Sequence, residues 1–384
     1  MRVRLSSPDV NESDKAAVME VLNSSALSLG PKLPEFEQMA AEVAGTRHAI
    51  AVNSGTSGLH LCVKAAGLGD GDEVITTPFS FIASANCILY ERATPVFVDI
   101  DPETYNLDPK LVERAITSRT KAILPVHVFG RPCNMRALQR IAVKHGLTII
   151  EDSCEAIGAS YRGKPVGSLG DAGVFAFYPN KQITTGEGGV VVTNSDDIAR
   201  QCRSMRNQGR SDGAEWLEHD VLGYNYRLSD INCALGISQL ARLTEVLEAR
   251  RRNAAAYHQL VSDIPGVIPP TAREPQCSIS WFVYVVRLTD DCGRETRDEV
   301  LAFLRARGVE CKNYFPPIHL QPLYRDRFRY SEGAFPITEH VAERTIALPF
   351  FTRLSEGQIE YVCSSLKAAV TSVRRRVLVA GAYN

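Results

Sequence analysis

Between about residues 48 and 194, short β-branched runs alternate with helical stretches: HAIAVN, EVITTP, TPVFVDI, AILPVHV, TIIED, GVFAFY and GVVVTN. Most of these runs are apolar at consecutive rather than alternate positions, the pattern of strands covered by helices on both faces. The expectation is a seven-stranded, mainly parallel sheet. Between the strands, Leu59, Cys62, Val63 and Ala66 form one helical stripe, and Met135, Leu138, Ile141, Ala142 and His145 form another. GVVVTN starts too soon after GVFAFYPNK for a crossover helix, so it is expected to run antiparallel to its predecessor.

The pattern then changes. Charged helices occupy about 230–260, and a Pro-rich break, IPGVIPPTAREP at 264–275, leads into the strand WFVYVVRL. A helix around 295–307, the loop NYFPPIHLQPLY at 313–324 and a last helix with Ile359, Val362, Leu366 and Ala369 on one stripe complete a smaller α/β unit. The division expected is a large domain over 1–245, N-terminal segment included, and a small C-terminal domain over 246–384. The tail RRRVLVAGAYN reads as a surface end.

Composition narrows the function. With 384 residues, 45% of them hydrophobic, the chain can bury a large core. A formal charge of −1 supplies no long-range field for nucleic acid or acidic membranes, so any anion must be gripped locally. No stretch approaches the roughly 20 apolar residues that span a bilayer. Ten cysteines stand singly, without CxxC pairs or histidine clusters, which argues against a metal and for reduced thiols in a cytoplasm.

In open α/β sheets, ligands sit beyond the carboxyl ends of the strands. After HAIAVN comes NSGTSGLHL, a glycine-bearing turn that opens a helix and offers backbone N–H groups, Thr56 and Ser57 to an anion; taken alone it reads more readily as an ordinary capped turn. After EVITTP, either Phe79 or Phe81 could stack on a flat ring, although a core position suits each as well. After TIIE comes Asp152, a carboxylate at the end of a buried strand, which needs a cationic or donor partner from the protein or from a ligand. Lys181 follows the next strand and precedes TTGEGG. A lysine held there among apolar residues and near other cationic charge would favour its neutral, nucleophilic amine.

Each feature alone has a bland explanation; together they match one cofactor. Pyridoxal 5'-phosphate has a phosphate, a flat ring, a ring nitrogen that benefits from a carboxylate and an aldehyde that forms an imine with lysine. Asp152 would keep the ring nitrogen charged, and Lys181 would hold the aldehyde and then shuttle the proton. Glycines in TTGEGG let the backbone pass close and reverse into the antiparallel strand.

An ordered set of motifs spans nearly the whole chain: LGPKLPEFEQMAAEVAGTRHAIAVNSGT, GDEVITTPFSFIASA, PVFVDID, PVHVFGRPCNM, IIEDSCEAIGA, NKQITTGEGG, LGYNYRLSDINCALG and IALPFF. The chain thereby resembles the DegT/DnrJ/EryC1/StrS aminotransferases, which have the fold type I α/β architecture and act on nucleotide-linked keto sugars. The resemblance implies Lys181 as the imine-forming residue, Asp152 as the partner of the ring nitrogen, Gly55, Thr56 and Ser57 as phosphate contacts, and Phe81 as the stacking ring. It also implies that GYNYR reaches into a neighbouring subunit, with Asn225 a phosphate ligand in trans and Arg227 a companion, and hence an obligate homodimer.

Two departures stand out. Ala176 occupies the place five residues before the lysine where relatives usually carry a phosphate-binding serine. Glu155 stands where many have glutamine or histidine beside the phenolic oxygen of the cofactor, and must be protonated or share a proton there. Some relatives are dehydratases with histidine in place of the lysine; lysine at 181 favours transamination. The expected reaction is ping-pong transfer from an amino acid, glutamate first, to a C3 or C4 ketone of a nucleotide-linked deoxysugar. Tyr314, His319 and Tyr324 are candidate substrate-side residues, although PPIHLQP could equally be a structural turn. His127 reads as a packed strand-end residue. The rival functions are dehydration, transamination of a cyclitol or keto acid, and a regulator that binds the cofactor without turnover.

Overall fold

The computed structural model describes residues 1–211, 218–271 and 275–381, with side chains to Arg374. Most of the tail RRRVLVAGAYN, and 272–274 of the Pro-rich break, therefore lie outside the described side chains.

The seven runs form one sheet: β1 (His48–Val52), β2 (Glu73–Thr76), β3 (Thr94–Phe97), β4 (Thr120–Ile123), β5 (Thr148–Asp152), β6 (Ala172–Ala176) and β7 (Gly189–Thr193), in the order β1-β7-β6-β5-β4-β2-β3. All run parallel except β7, which pairs antiparallel with both β1 and β6. Continuous apolar runs are explained by cover on both faces. In β1, Ile50 and Val52 enter one core cluster while Ala49 and Ala51 enter the cluster opposite. The helix Gly55–Ala65 covers the first face with Leu59, Leu61 and Val63, and the helix Lys32–Ala44 covers the second with Leu33 and Phe36.

A second core forms on the three-stranded antiparallel sheet of Val267–Ile268, Tyr284–Leu288 and Thr345–Leu348, beneath helices that include Arg294–Ala306 and the predicted Ile359, Val362, Leu366 and Ala369 stripe. The 245/246 division falls inside the helix Leu243–Val261, whose Leu243 and Val246 belong to the first unit and whose Tyr257 and Val261 belong to the second. The extreme N-terminus departs from expectation. Val3 pairs with Val309 and packs in the small core, because its apolar side chain is buried there and not under the large sheet.

Asp99, just past β3, accepts the N–H groups of Ile337 (2.9 Å) and Thr338 (2.8 Å). This carboxylate at a helix start clamps Pro336–Ala342, and with it the preceding loop, onto the large unit. Among the described residues no helix is long and apolar enough to cross a membrane.

Candidate active site

A cavity of about 620 Å³ opens at the carboxyl ends of β1, β5 and β6. At the first, Ser54 caps the helix Gly55–Ala65 by accepting the N–H of Ser57 at 3.1 Å. Gly55 and Thr56 line the cavity at this helix start, where N–H groups have no intrahelical acceptor. A Cβ at Gly55 would lie 2.7 Å from the Ala176 Cβ and 2.9 Å from the Cys154 Sγ, so only glycine permits this approach of β1 to β5 and β6. Ser57, expected at the phosphate, stands behind the wall: it is buried and its Oγ donates to Asn53 Oδ1 at 2.7 Å, because the capping turn consumes it.

β5 delivers two acids to opposite faces, as neighbouring strand residues must. Glu151 turns away from the cavity, bonded to His127 Nε2 at 2.9 Å and to the N–H groups of Gly167, Leu169 and Gly170. His127 Nδ1 accepts the N–H of Cys133, so this histidine is a packed structural residue. Asp152 faces the cavity. Its Oδ2 accepts the Ser84 hydroxyl at 2.6 Å and its Oδ1 the Cys154 N–H at 3.1 Å. Ser84 in turn pairs with Ser80 at 2.8 Å. Among the described residues this buried carboxylate is thus held by neutral donors, with no cation in an ion pair with it.

Past β6 the chain folds back tightly: Thr185 N–H donates to Phe177 O and Phe177 N–H to Gly188 O. Lys181 projects into the cavity with its Nζ 3.7 Å from Glu155 Oε1 and 4.0 Å from the centre of the Phe282 ring. The expected cationic neighbour is not there. Among the described residues that line the cavity Lys181 is the one cation, and a carboxylate and an aromatic face stand against it instead. Glu155 is buried, with Oε2 accepting the Phe129 N–H at 2.9 Å. Burial pushes its carboxyl above the ordinary range, although Lys181 pulls the other way.

The choice left open between the two phenylalanines is resolved by packing. Phe79 is fully buried, edge-on to Tyr105, Phe129 and Phe315, whereas Phe81 is 63% exposed and lines the cavity. Tyr314 also lines it, stacked on Phe315, and burial and nearby Glu155 push its phenol up. His319 and Tyr324 do not reach the cavity. His319 is buried against Phe335 with Nε2 3.0 Å from Glu339, and Tyr324 donates to Asn86 Oδ1 at 2.8 Å beneath Phe97, because both fill the seam where the loop docks on the large unit. Asn225 is exposed and outside this cavity's wall, and Arg227 donates to Asn207 at 3.0 Å.

Residues 8–367 match the model of the DegT/DnrJ/EryC1/StrS aminotransferase family. The chain belongs to this family. The aminotransferase is 40% identical to the GDP-perosamine synthase of Caulobacter vibrioides over 367 residues, covering 95% of this chain and 97% of that one. It is also 40% identical over 350 residues to the pleiotropic regulatory protein of Geobacillus stearothermophilus, covering 90% and 91%. Among solved structures it is similar to S. venezuelae DesV in complex with a ketimine intermediate, with a TM-score of 0.87, 37% identity and coverage of 93% and 94%.

Pyridoxal phosphate is the cofactor of this family and of this aminotransferase. The donor set fits it: a buried carboxylate awaiting a charged partner, an amine within the same cavity and a helix start whose glycine leaves room for an anion. Three contributors went unread in the sequence. Ser84 lies in the first turn of the helix Ala83–Tyr90 and pairs with Ser80 of the turn before it, a contact that no local periodicity marks. Cys154 lies two residues beyond Asp152 and lines the cavity. Phe282 carries no local signal: it comes from the small unit, where buried Arg250 donates to the carbonyls of Trp281 (2.9 Å) and Phe282 (2.7 Å).

Proposed function

We propose that this aminotransferase moves an amino group from an amino acid, glutamate first among donors, to a C3 or C4 ketone of a nucleotide-linked deoxysugar, in two half-reactions. The observation that carries the reading is the convergence of Lys181, Asp152, Phe81 and the Gly55–Thr56 helix start on one cavity. Bound there, pyridoxal phosphate supplies an aldehyde that captures amines and a ring that draws electrons from the adjoining bonds. Asp152, hydrogen-bonded by the Ser84 hydroxyl and the Cys154 N–H, would pair with the ring nitrogen. Phe81 would cover the ring face, and the N–H groups at Gly55 and Thr56 would receive the phosphate. In each half-reaction Lys181 Nζ would carry the proton between the amine-bearing carbon of the substrate and the cofactor, and Glu155 at 3.7 Å would stabilise that amine when it is charged.

The sugar acceptor is supported by the name of the perosamine synthase relative. A cavity of about 620 Å³ leaves room for a substrate beside a cofactor. We further propose a homodimer in which Asn225 completes the partner's phosphate site, supported by its exposure outside its own cavity. Ten free cysteines support residence in a reducing cytoplasm.

The relative named as a regulatory protein favours a second reading, cofactor binding without turnover. Incubation with glutamate decides between them: an enzyme loses the absorbance of its lysine-bound cofactor, and a regulator keeps it. The substrate is tested by mixing the protein with glutamate and a panel of nucleotide-linked 3-keto and 4-keto sugars, cyclitol ketones and keto acids, then weighing the products. Lys181→Ala should lose both turnover and the covalent cofactor. Transfer at the parent rate by that variant would overturn the assignment.

A further inference from the structure

The tyrosines on either side of Asn225 are anchored by a network that the chemistry above does not use. Tyr224 and Tyr226 stack with ring centres 4.9 Å apart and planes 10° off parallel. The Tyr226 hydroxyl lies 3.1 Å from His60 Nδ1, and the Tyr224 hydroxyl donates to Glu91 Oε1 at 3.2 Å. His60 Nε2 meets the same Glu91 oxygen at 2.7 Å, while Lys64 Nζ holds the other at 2.8 Å. Burial lowers the proton affinity of His60, and a neutral imidazole satisfies both contacts with Nε2 donating to Glu91 and Nδ1 accepting from Tyr226. Main-chain bonds finish the clamp: Asn53 N–H donates to Tyr226 O at 2.9 Å and Tyr224 N–H to Met205 O at 2.6 Å.

His60 lies on the helix whose first turn carries Gly55 and Thr56, and Glu91 directly follows the helix that carries Ser84. The two helices that build one subunit's cofactor site thus also grip the segment that leaves it. We infer that His60 and Glu91 are positioning residues for Asn225, fixing the angle at which this subunit presents that side chain to the cofactor phosphate of a second copy. The inference rests on the proposed reading of Asn225 as a ligand in trans.

The test titrates the apo-protein with pyridoxal phosphate and counts only cofactor that borohydride fixes to Lys181. Glu91→Gln should weaken this capture about tenfold, the loss expected when one charge-directed hydrogen bond is misaimed, and Asn225→Ala should weaken it at least as much. Each variant is then paired with Lys181→Ala subunits in mixed dimers. The only site that can be fixed there takes its lysine from the variant and its Asn225 from the Lys181→Ala subunit. Restored affinity in both mixtures supports the inference. Restoration with Asn225→Ala but not with Glu91→Gln overturns it, since the network would then serve its own subunit. No restoration with Asn225→Ala overturns the shared-site reading itself. Should Glu91→Gln fail to fold, Tyr224→Phe with Tyr226→Phe leaves the Lys64–Glu91 pair intact and takes its place; unchanged capture by that variant also refutes the inference.

Discussion

Glu155→Gln removes the carboxylate that the structure sets against Lys181, the lysine proposed to hold the cofactor. The glutamine keeps an oxygen for the Phe129 N–H, which Glu155 accepts at 2.9 Å, and removes the charge 3.7 Å from Lys181 Nζ. Two unit charges at that separation interact by about 4.5 kcal/mol in an effective dielectric of about 20. That ceiling is lowered because burial opposes the charged form of Glu155. About 1.4–2.8 kcal/mol is a reasonable net figure, a tenfold to hundredfold change in an equilibrium constant. A double-mutant cycle of Glu155→Gln with Lys181→Met, read from denaturant unfolding of the apo-protein, should return a coupling of about that size. A coupling near zero would show that Glu155 does not hold the amine.

The same variant has a stability signature. A carboxyl raised on folding stabilises the native state below its ordinary value of 4.5 and loses that contribution as pH rises above it, so the melting temperature of Glu155→Gln should gain on the parent's as pH is raised from 4.5. Ser84→Ala strips one of two donors from buried Asp152 and should cost about 2 kcal/mol, lowering the apo-protein's melting temperature by about 2–3 °C; an unchanged value would mean the 2.6 Å contact contributes nothing. Ala176→Ser places a hydroxyl beside Gly55 on the cavity wall and should tighten cofactor binding about tenfold by equilibrium dialysis, through one hydrogen bond to a charged group. Weaker binding would move the phosphate site elsewhere. His319→Gln should lower thermal stability by about 1–3 kcal/mol while leaving KM for both substrates unchanged, since the imidazole packs on Phe335 and Glu339 outside the cavity; a raised KM would return His319 to the substrate side.

Strand count, the antiparallel return of β7 and the helical stripes were legible because each is a short-range periodicity, written in a few consecutive residues. The placement of Lys181 and Asp152 at a common cavity was also within reach, since strand ends in a parallel sheet open on one edge. Phe79 and Phe81, two residues apart with similar chemistry, could not be told apart from the residues themselves; the family resemblance pointed to Phe81, and packing puts Phe79 in the core and Phe81 at the cavity mouth. His319 and Tyr324 meet a related limit: a loop rich in Tyr, His and Pro looks like a binding loop whether its side chains face a ligand or, as here, the unit on which it docks.

Order along the chain thus determined the layered α/β sheet, the glycine-bearing helix start and the identity of the amine and acid pair. Only the tertiary structure decided what surrounds that pair: Ser84 from one helix, Phe282 from the distant small unit and a carboxylate, in place of a cation, against Lys181. Those neighbours are set by contacts between segments far apart in the chain, and local sequence periodicity carries no record of such distances.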